Sequence, residues 1–115
     1  MSMYKGSCHC GNVTFEAEGE LKEAVECNCS HCSRKGYLLW FIPRESMTLG
    51  TPLEDLSVYH FNKHVIDHHF CPNCGCAPFG MGKHGDAEMA AINIRCLEAI
   101  ELSEVKRIAV DGRSY

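Results

Sequence analysis

The chain has 115 residues, a length that fits one domain, and 45% of them are hydrophobic, so a core of modest size can form. Its 15 acidic residues outnumber its 11 lysines and arginines and give a net charge of −4, whereas nucleic-acid-binding proteins usually carry a basic stripe. We expect a single cytoplasmic domain over residues 1–115, with no nucleic-acid or membrane partner, because the sequence has no recognisable signal peptide and no run of about 20 apolar residues.

Strand patterns dominate the sequence, and helical periodicity is weak. Val13 and Phe15 belong to an alternating polar and apolar stretch, and a continuous apolar run before Pro43 is typical of a buried strand. In chain order the predicted strands are 12–18, 37–42, 56–61, 65–70, 87–95 and 105–110, with a hairpin turn near Asn62-Lys63. A short helical turn is expected near Ser30 or over 53–56. The predicted class is mainly β.

Cysteine is the most unusual component of the chain. Nine cysteines are an odd number, and the expected compartment is reducing, so a disulfide framework is disfavoured. Eight of them form three tight groups, and the ninth is isolated: Cys8 and Cys10; Cys27, Cys29 and Cys32; Cys71, Cys74 and Cys76; and Cys96 alone. Gaps of one or two residues suit thiolates that share a metal ion better than they suit disulfide geometry. The spacing therefore predicts zinc.

The first predicted zinc site combines two of these groups. The segment Cys71-Pro72-Asn73-Cys74-Gly75 has the pattern of a zinc knuckle, in which a glycine lets backbone amides turn towards the sulfurs. With Cys8 and Cys10 it supplies four thiolates, which we expect to bind a structural zinc and to fasten the first strand to the middle of the sheet. Such an ion contributes about 10–16 kcal/mol, as much as the whole stability of a domain, so its loss should unfold the protein. The alternative is that these four cysteines are buried apolar residues.

The second predicted site lies in the segment from Cys27 to Cys32, where Cys27, Cys29 and Cys32 place three thiols within six residues. Three sulfurs cover one face of a tetrahedron and leave the fourth position to be filled from elsewhere. A protein ligand there would make the site structural, whereas water or a substrate thiol would make it reactive. The candidates for closing the site are one cysteine or histidine among Cys76, Cys96, His31, His68 and His69.

Other side chains carry weaker signals. Arg34, Lys35 and Arg95 are candidates for binding a substrate carboxylate, although each can equally be an ordinary surface charge. The histidines His60, His64, His68 and His69 are expected to be solvated or packing residues of the hairpin, one of which can carry a proton near neutral pH. Trp40 and Phe41 are expected in the core, and Cys96 is expected as a buried residue on a strand.

Several motifs, in order along nearly the whole chain, resemble one family. These are Gly6-Ser7-Cys8-His9-Cys10-Gly11, the triplet from Cys27 to Cys32, the knuckle from Phe70 to Gly75, Ile92-Asn93-Ile94-Arg95-Cys96-Leu97-Glu98, and the ending Asp111-Gly112-Arg113-Ser114. Together they are similar to the glutathione-dependent formaldehyde-activating and centromere protein V family.

The resemblance implies a fold, a pair of metal sites and a reaction. The fold is a tent-like arrangement of antiparallel sheets around zinc, shared with methionine sulfoxide reductase B. Cys8, Cys10, Cys71 and Cys74 correspond to the ligands of a structural zinc, and Cys27, Cys29 and Cys32 to the ligands of a catalytic one. The implied enzyme is a carbon–sulfur lyase resembling S-(hydroxymethyl)glutathione synthase, which joins a thiol such as glutathione to formaldehyde or a related small aldehyde. The alternative is a non-catalytic, zinc-stabilised binding module or a carrier of thiol adducts.

Overall fold

The computed structural model describes residues 2–60, 66–84 and 86–111. Within these ranges the chain is mainly β, as predicted, with ten strands and one short α-helix. In chain order they are β1 (Ser2–Ser7), β2 (Thr14–Gly19), β3 (Glu23–Cys27), α1 (Ser30–Lys35), β4 (Leu39–Pro43), β5 (Met47–Leu49), β6 (Ser57–Tyr59), β7 (Ile66–Phe70), β8 (Phe79–His84), β9 (Ala87–Asn93) and β10 (Lys106–Val110). None of the helices in the described ranges has the length and apolar character needed to cross a membrane.

The described strands form two sheets. The smaller sheet has the order β1-β2-β5, and the larger has the order β10-β3-β4-β9-β8-β7-β6. Neighbouring strands are antiparallel, as expected, with the exception of β10 and β3, which are parallel. A parallel neighbour requires a long crossover. Here the chain between β3 and β10 passes through β4 to β9 and returns to β3 by a connection with short 3-10 turns at Ile94–Cys96 and Leu102–Glu104.

The core lies between the inner faces of the two sheets. Trp40, Ile92 and Phe79 share the inner face of the larger sheet, because Ile92 pairs with Trp40 on one side and with Phe79 on the other. The ring of Phe79 packs edge-on against Phe15 of the smaller sheet, with centroids 5.5 Å apart. Gly6 on β1 leaves room for the Phe15 ring, since a Cβ at this position would lie 2.3 Å from Cζ of Phe15. Aromatic packing therefore sets how closely the sheets approach.

Most of the predicted strands appear in the structure, but four observed strands were not predicted. The segments predicted at 12–18, 37–42, 87–95 and 105–110 correspond to β2, β4, β9 and β10, and those at 56–61 and 65–70 to the shorter β6 and β7. The helical turns expected near Ser30 and over 53–56 are α1 and a 3-10 turn at Leu53–Asp55. The strands β1, β3, β5 and β8 were missed. The predicted turn at Asn62-Lys63 lies outside the described residues.

Two expectations about single residues are wrong. Trp40 is buried as predicted, but its neighbour Phe41 is 48% exposed, because consecutive side chains of a strand point to opposite faces of the sheet. Cys96 lies in a 3-10 turn rather than on a strand, and it is only half-buried. The side chain of Asn93 accepts a hydrogen bond from the amide of Arg95 (3.3 Å), and this cap turns the chain away from the sheet before Cys96.

Phe79 and Phe41 allow a matched test of this core. Phe79 is 1% exposed, so Phe79→Ala should lower the free energy of unfolding by about 3–5 kcal/mol through lost burial and a cavity. Phe41→Ala, on the outer face of the same sheet, should cost about 1 kcal/mol or less. Denaturant titration of the zinc-loaded variants measures both changes. Equal losses would contradict the assignment of the two faces.

Candidate metal centres

The first cysteine cluster forms where the two sheets meet. Cys8 and Cys10 follow β1 of the smaller sheet, and Cys71 and Cys74 follow β7 of the larger one. All four sulfur atoms lie within 4.8 Å of one another. The Sγ atom of Cys10 is 3.6 Å from that of Cys8 and 3.6 Å from that of Cys71. The structure therefore brings together the four residues that the spacing predicted.

Tight turns hold these sulfurs in place. The amide of Gly11 donates to the carbonyl of Cys8 (3.3 Å), and that of Gly75 donates to the carbonyl of Cys71 (2.8 Å). Both glycines have a positive φ, of 84° and 82°, which other residues adopt only with strain. Two further backbone amides donate hydrogen bonds to sulfur. The amide of Val13 donates to the Sγ atom of Cys8 (3.3 Å), and the amide of Cys74 donates to that of Cys71 (3.5 Å).

The spacing of these sulfurs fits a tetrahedral zinc ion. With zinc–sulfur bonds of about 2.3 Å, two sulfurs at the corners of a tetrahedron are separated by about 3.8 Å. The observed separations of 3.6 Å are close to this value. They are too long for a disulfide bond of about 2.05 Å. Four thiol donors at such distances match the commonest structural zinc site, and amides that point at sulfur are the usual outer support of its ligands.

The electrostatics of the first cluster favour a bound cation. A hydrogen bond from the Asn73 side chain, aided by the backbone of Asn12, lowers the pKa of Cys10. Backbone hydrogen bonds, first from Cys76, lower the pKa of Cys74 to about 5. The amide of Cys74 also favours the Cys71 thiolate, but burial and the neighbouring thiols still raise the pKa of Cys71 to about 11. The cluster alone therefore supports only part of the negative charge of four thiolates, and a divalent cation would compensate for the rest.

The second cysteine cluster is built on the start of α1. Cys27 ends β3, Cys29 caps the helix, and Cys32 lies in its first turn. The amide of Cys32 donates to the Cys29 sulfur (3.3 Å), and the amide of Cys29 donates to the Cys27 sulfur (3.5 Å). Between these residues the amide of Asn28 donates to the carbonyl of Val110 on β10 (3.1 Å), which ties the loop to the sheet. The three sulfurs lie within 4.8 Å of one another.

None of the candidates for a fourth ligand joins this set. Over residues 2–60, 66–84 and 86–111, no donor atom of Cys76, Cys96, His31, His68 or His69 lies within 4.8 Å of all three sulfurs. His69 is instead a packing residue, 3% exposed, whose ring centre is 5.5 Å from that of Phe79. Within the described chain, the second cluster is therefore a set of three thiols.

The pKa values of Cys29 and Cys32, two thiols of the second cluster, are shifted in opposite directions. Burial raises the pKa of Cys29, but hydrogen bonds from Cys32 and Cys27 outweigh it, and the net pKa is below the ordinary value. Cys32 is 8% exposed, and burial together with the neighbouring thiols raises its pKa strongly. Cys29 is therefore easier to ionise than Cys32, and a nearby cation would favour the thiolate form of Cys32.

A pocket of about 660 Å³ opens beside the second cluster. Its lining residues are Ser30, His31, Arg34, Lys35, Tyr59 and Phe70. Phe70 packs in the same apolar cluster as Cys27, Cys29 and Cys32, so the pocket adjoins the thiols. Of the three cationic residues proposed from the sequence, Arg34 and Lys35 line the pocket. Arg95 does not, and its Nε donates to the carbonyl of Gly36 at the end of α1 (2.9 Å).

Aromatic and imidazole rings form one wall of this region. The ring of His31 is nearly parallel to that of Tyr59, with centroids 5.3 Å apart, and it lies 4.3 Å from His68. Burial, followed by repulsion from Lys35, lowers the pKa of His31, and burial with nearby cationic groups lowers that of His68 to about 4. Both imidazoles are therefore neutral at pH 7. Nothing in the sequence indicated that Tyr59 and Phe70 line a pocket, because their position there depends on how β6, β7 and α1 pack.

Metal analysis of cysteine variants tests the two clusters. Purified wild type should contain two zinc ions per chain. Cys29→Ser should contain one and remain folded, because only the second site is lost. Cys71→Ser should lose its cooperative unfolding transition, since a structural zinc contributes about 10–16 kcal/mol. Elemental analysis and thermal unfolding provide these readouts.

Cys96→Ser is the matched control, because Cys96 is half-buried and belongs to neither cluster. It should keep both ions. A wild type with one ion, or a Cys29→Ser variant with two, would contradict the assignment of the second site.

Comparison with known proteins places the chain in a family. The model of the family described as glutathione-dependent formaldehyde-activating enzyme matches residues 3–109, which include all seven cysteines of the two clusters. The fold is similar to a crystal structure of a Rhodobacter sphaeroides protein, with a TM-score of 0.77 and 29% sequence identity over 90% of this chain and 99% of that one. The chain belongs to the glutathione-dependent formaldehyde-activating enzyme family.

Proposed function

We propose that the protein is a zinc-dependent carbon–sulfur lyase that adds a thiol such as glutathione to formaldehyde or a related small aldehyde. Family membership supports a formaldehyde-activating or related role. The observation that carries the proposal is the set of three thiols at Cys27, Cys29 and Cys32, which no fourth His, Cys, Asp or Glu donor joins among the residues described. Such a set leaves a coordination position for a substrate.

The residues present fit a catalytic zinc at this position. Zinc held by Cys27, Cys29 and Cys32 would supply an open Lewis-acidic position that favours the thiolate form of an incoming thiol. In the reaction, a bond forms between the thiol sulfur and the carbonyl carbon, and the carbonyl π bond breaks. The thiol proton ends on the former carbonyl oxygen, so no oxidant or reductant is required. The reverse direction breaks the carbon–sulfur bond and is the lyase reaction.

The chain's own residues would position the thiol and manage its proton. Arg34 and Lys35 are the cationic residues of the pocket and suit the carboxylates of glutathione. Arg34 is already oriented, because its Nη1 donates to the carbonyl of Ser30 (2.9 Å). His31 lines the same pocket, and its imidazole would carry the thiol proton to the oxygen once its ring nitrogens, which are buried in the structure, turn towards the pocket. The gain in rate would come mainly from holding two reactants together.

The first cluster would have a structural role in this scheme. Cys8, Cys10, Cys71 and Cys74 form a complete set of four sulfurs, which leaves no position for a substrate. Its zinc would fix the turn after β7, and β7 carries Phe70 at the pocket. Removing this metal would therefore disturb the reactive site indirectly, through the fold.

The reaction is tested by mixing glutathione and formaldehyde with the zinc-loaded protein and following adduct formation by exchange NMR. Wild type should accelerate exchange above the uncatalysed rate. Cys29→Ser should reduce the enzymatic part at least about 100-fold, because a misplaced or missing ligand removes the positioning effect. Cys96→Ser should retain the wild-type rate.

Two outcomes would contradict the proposed enzymatic activity. An equal rate of exchange with wild type and with Cys29→Ser would show that the second cluster takes no part in the reaction. Saturable glutathione binding with no effect on the rate would identify a carrier of thiol adducts instead.

A further inference from the structure

The pocket beside the second cluster has room for a thiol of the size of glutathione, but it is more aromatic than the addition of that thiol to formaldehyde requires. Its volume of about 660 Å³ falls within the range of about 300–1,000 Å³ for sites that enclose drug-sized ligands. Formaldehyde has two non-hydrogen atoms, is strongly hydrated in water, and gains little from apolar walls. Three of the six lining residues, His31, Tyr59 and Phe70, nevertheless present rings.

One ring of the pocket packs in the apolar cluster of the thiols, and one of the cationic groups is anchored on the helix. Phe70 packs in the apolar cluster that contains Cys27 and Cys29. Tyr59 stacks on His31, which lies between Cys29 and Cys32 in the chain. Arg34 is held against the helix by its bond to Ser30, and the Nζ of Lys35 lies 5.5 Å from the centre of the Phe70 ring. A group attached next to the sulfur would therefore meet the rings, while more distant carboxylates would meet the cations.

The substituent of an aldehyde occupies that position in the adduct. When a thiol adds to an aldehyde, the new carbon bears both the sulfur and the substituent of the aldehyde, so the substituent lies two bonds from the sulfur. An aromatic or unsaturated substituent can stack on Tyr59 and pack against Phe70, and each such contact adds favourable energy that a hydrogen atom cannot supply.

We propose that this pocket accepts adducts of an anionic thiol with aldehydes that carry a planar apolar group, in addition to or in place of formaldehyde. This inference rests on the proposed function, because it uses the same reaction and the same three cysteines. The bond between sulfur and the carbonyl carbon forms, the carbonyl π bond breaks, and the thiol proton moves to the oxygen, as for formaldehyde. The aldehyde supplies the planar group, and the thiol supplies the carboxylates.

Stable thioethers test the pocket without turnover. S-Benzylglutathione resembles the adduct of an aromatic aldehyde, and S-methylglutathione resembles that of formaldehyde. Titration calorimetry with the zinc-loaded protein should give a dissociation constant for S-benzylglutathione that is about tenfold lower, the factor expected when two ring contacts each contribute about threefold.

Variants of Tyr59 and Phe70 test whether these two rings cause the preference for S-benzylglutathione. Tyr59→Ala removes a half-exposed ring, and Phe70→Leu keeps an apolar side chain in the cluster, so both proteins should fold. Each should lower the ratio of the two affinities to about threefold or less. Phe41→Ala is the matched control, because Phe41 is an exposed aromatic residue on β4 of the same sheet and does not line the pocket. It should leave the ratio unchanged.

The outcomes separate this inference from the proposed function. Equal affinity for the two thioethers, or a preference that survives in both ring variants, overturns the inference even if the wild type accelerates exchange between glutathione and formaldehyde. Absence of that exchange in the wild type, with no binding of either thioether, overturns the proposed function itself. A preference for S-benzylglutathione that the ring variants remove supports the assignment of an aromatic or unsaturated substrate class.

Discussion

The contact among four sulfurs at the junction of the two sheets is the constraint on which the rest of the structure depends. Cys8 and Cys10 come from the end of a strand in the smaller sheet, and Cys71 and Cys74 from the end of a strand in the larger one. The aromatic core between the sheets is limited by the size of the chain. A metal shared by both sheets would add a cross-link that is lost only when the ligands separate, so metal binding and folding would be coupled.

The segment that carries the second cluster depends on the surrounding sheet because it is not stable by itself. Helix α1 has six residues, well below the length of about 12–15 at which isolated helices begin to persist in water. It is held at its start by the Cys29 cap, at its end by a left-handed Gly36, and below by the sheet. Arg95 binds the carbonyl of Gly36 from the turn after β9. The thiols of the second cluster are therefore presented by a short element that its neighbours fix from both ends.

How much of this could be predicted from the sequence differs between the metal sites and the pocket. The cysteine groups were recognisable because thiolates that share an ion must be close, and short gaps with a following glycine achieve this locally. Strand β8 was missed because it reads Phe-Gly-Met-Gly, and glycine lowers strand propensity. In the structure a Cβ at position 80 would lie 3.3 Å from the carbonyl oxygen of Asp67, a tight contact that glycine avoids. The three rings of the pocket could not be predicted as a group, because Tyr59, Phe70 and His31 line it only through tertiary packing.

The central claim is that the second cluster leaves one metal position for an external thiol. Cadmium NMR of protein loaded with cadmium in place of zinc tests it most directly, because the chemical shift of the metal reports the number of bound sulfurs. We expect two resonances, of which only the one lost in Cys29→Ser moves when glutathione is added. A second resonance that does not respond to glutathione would show a closed site and would contradict the account.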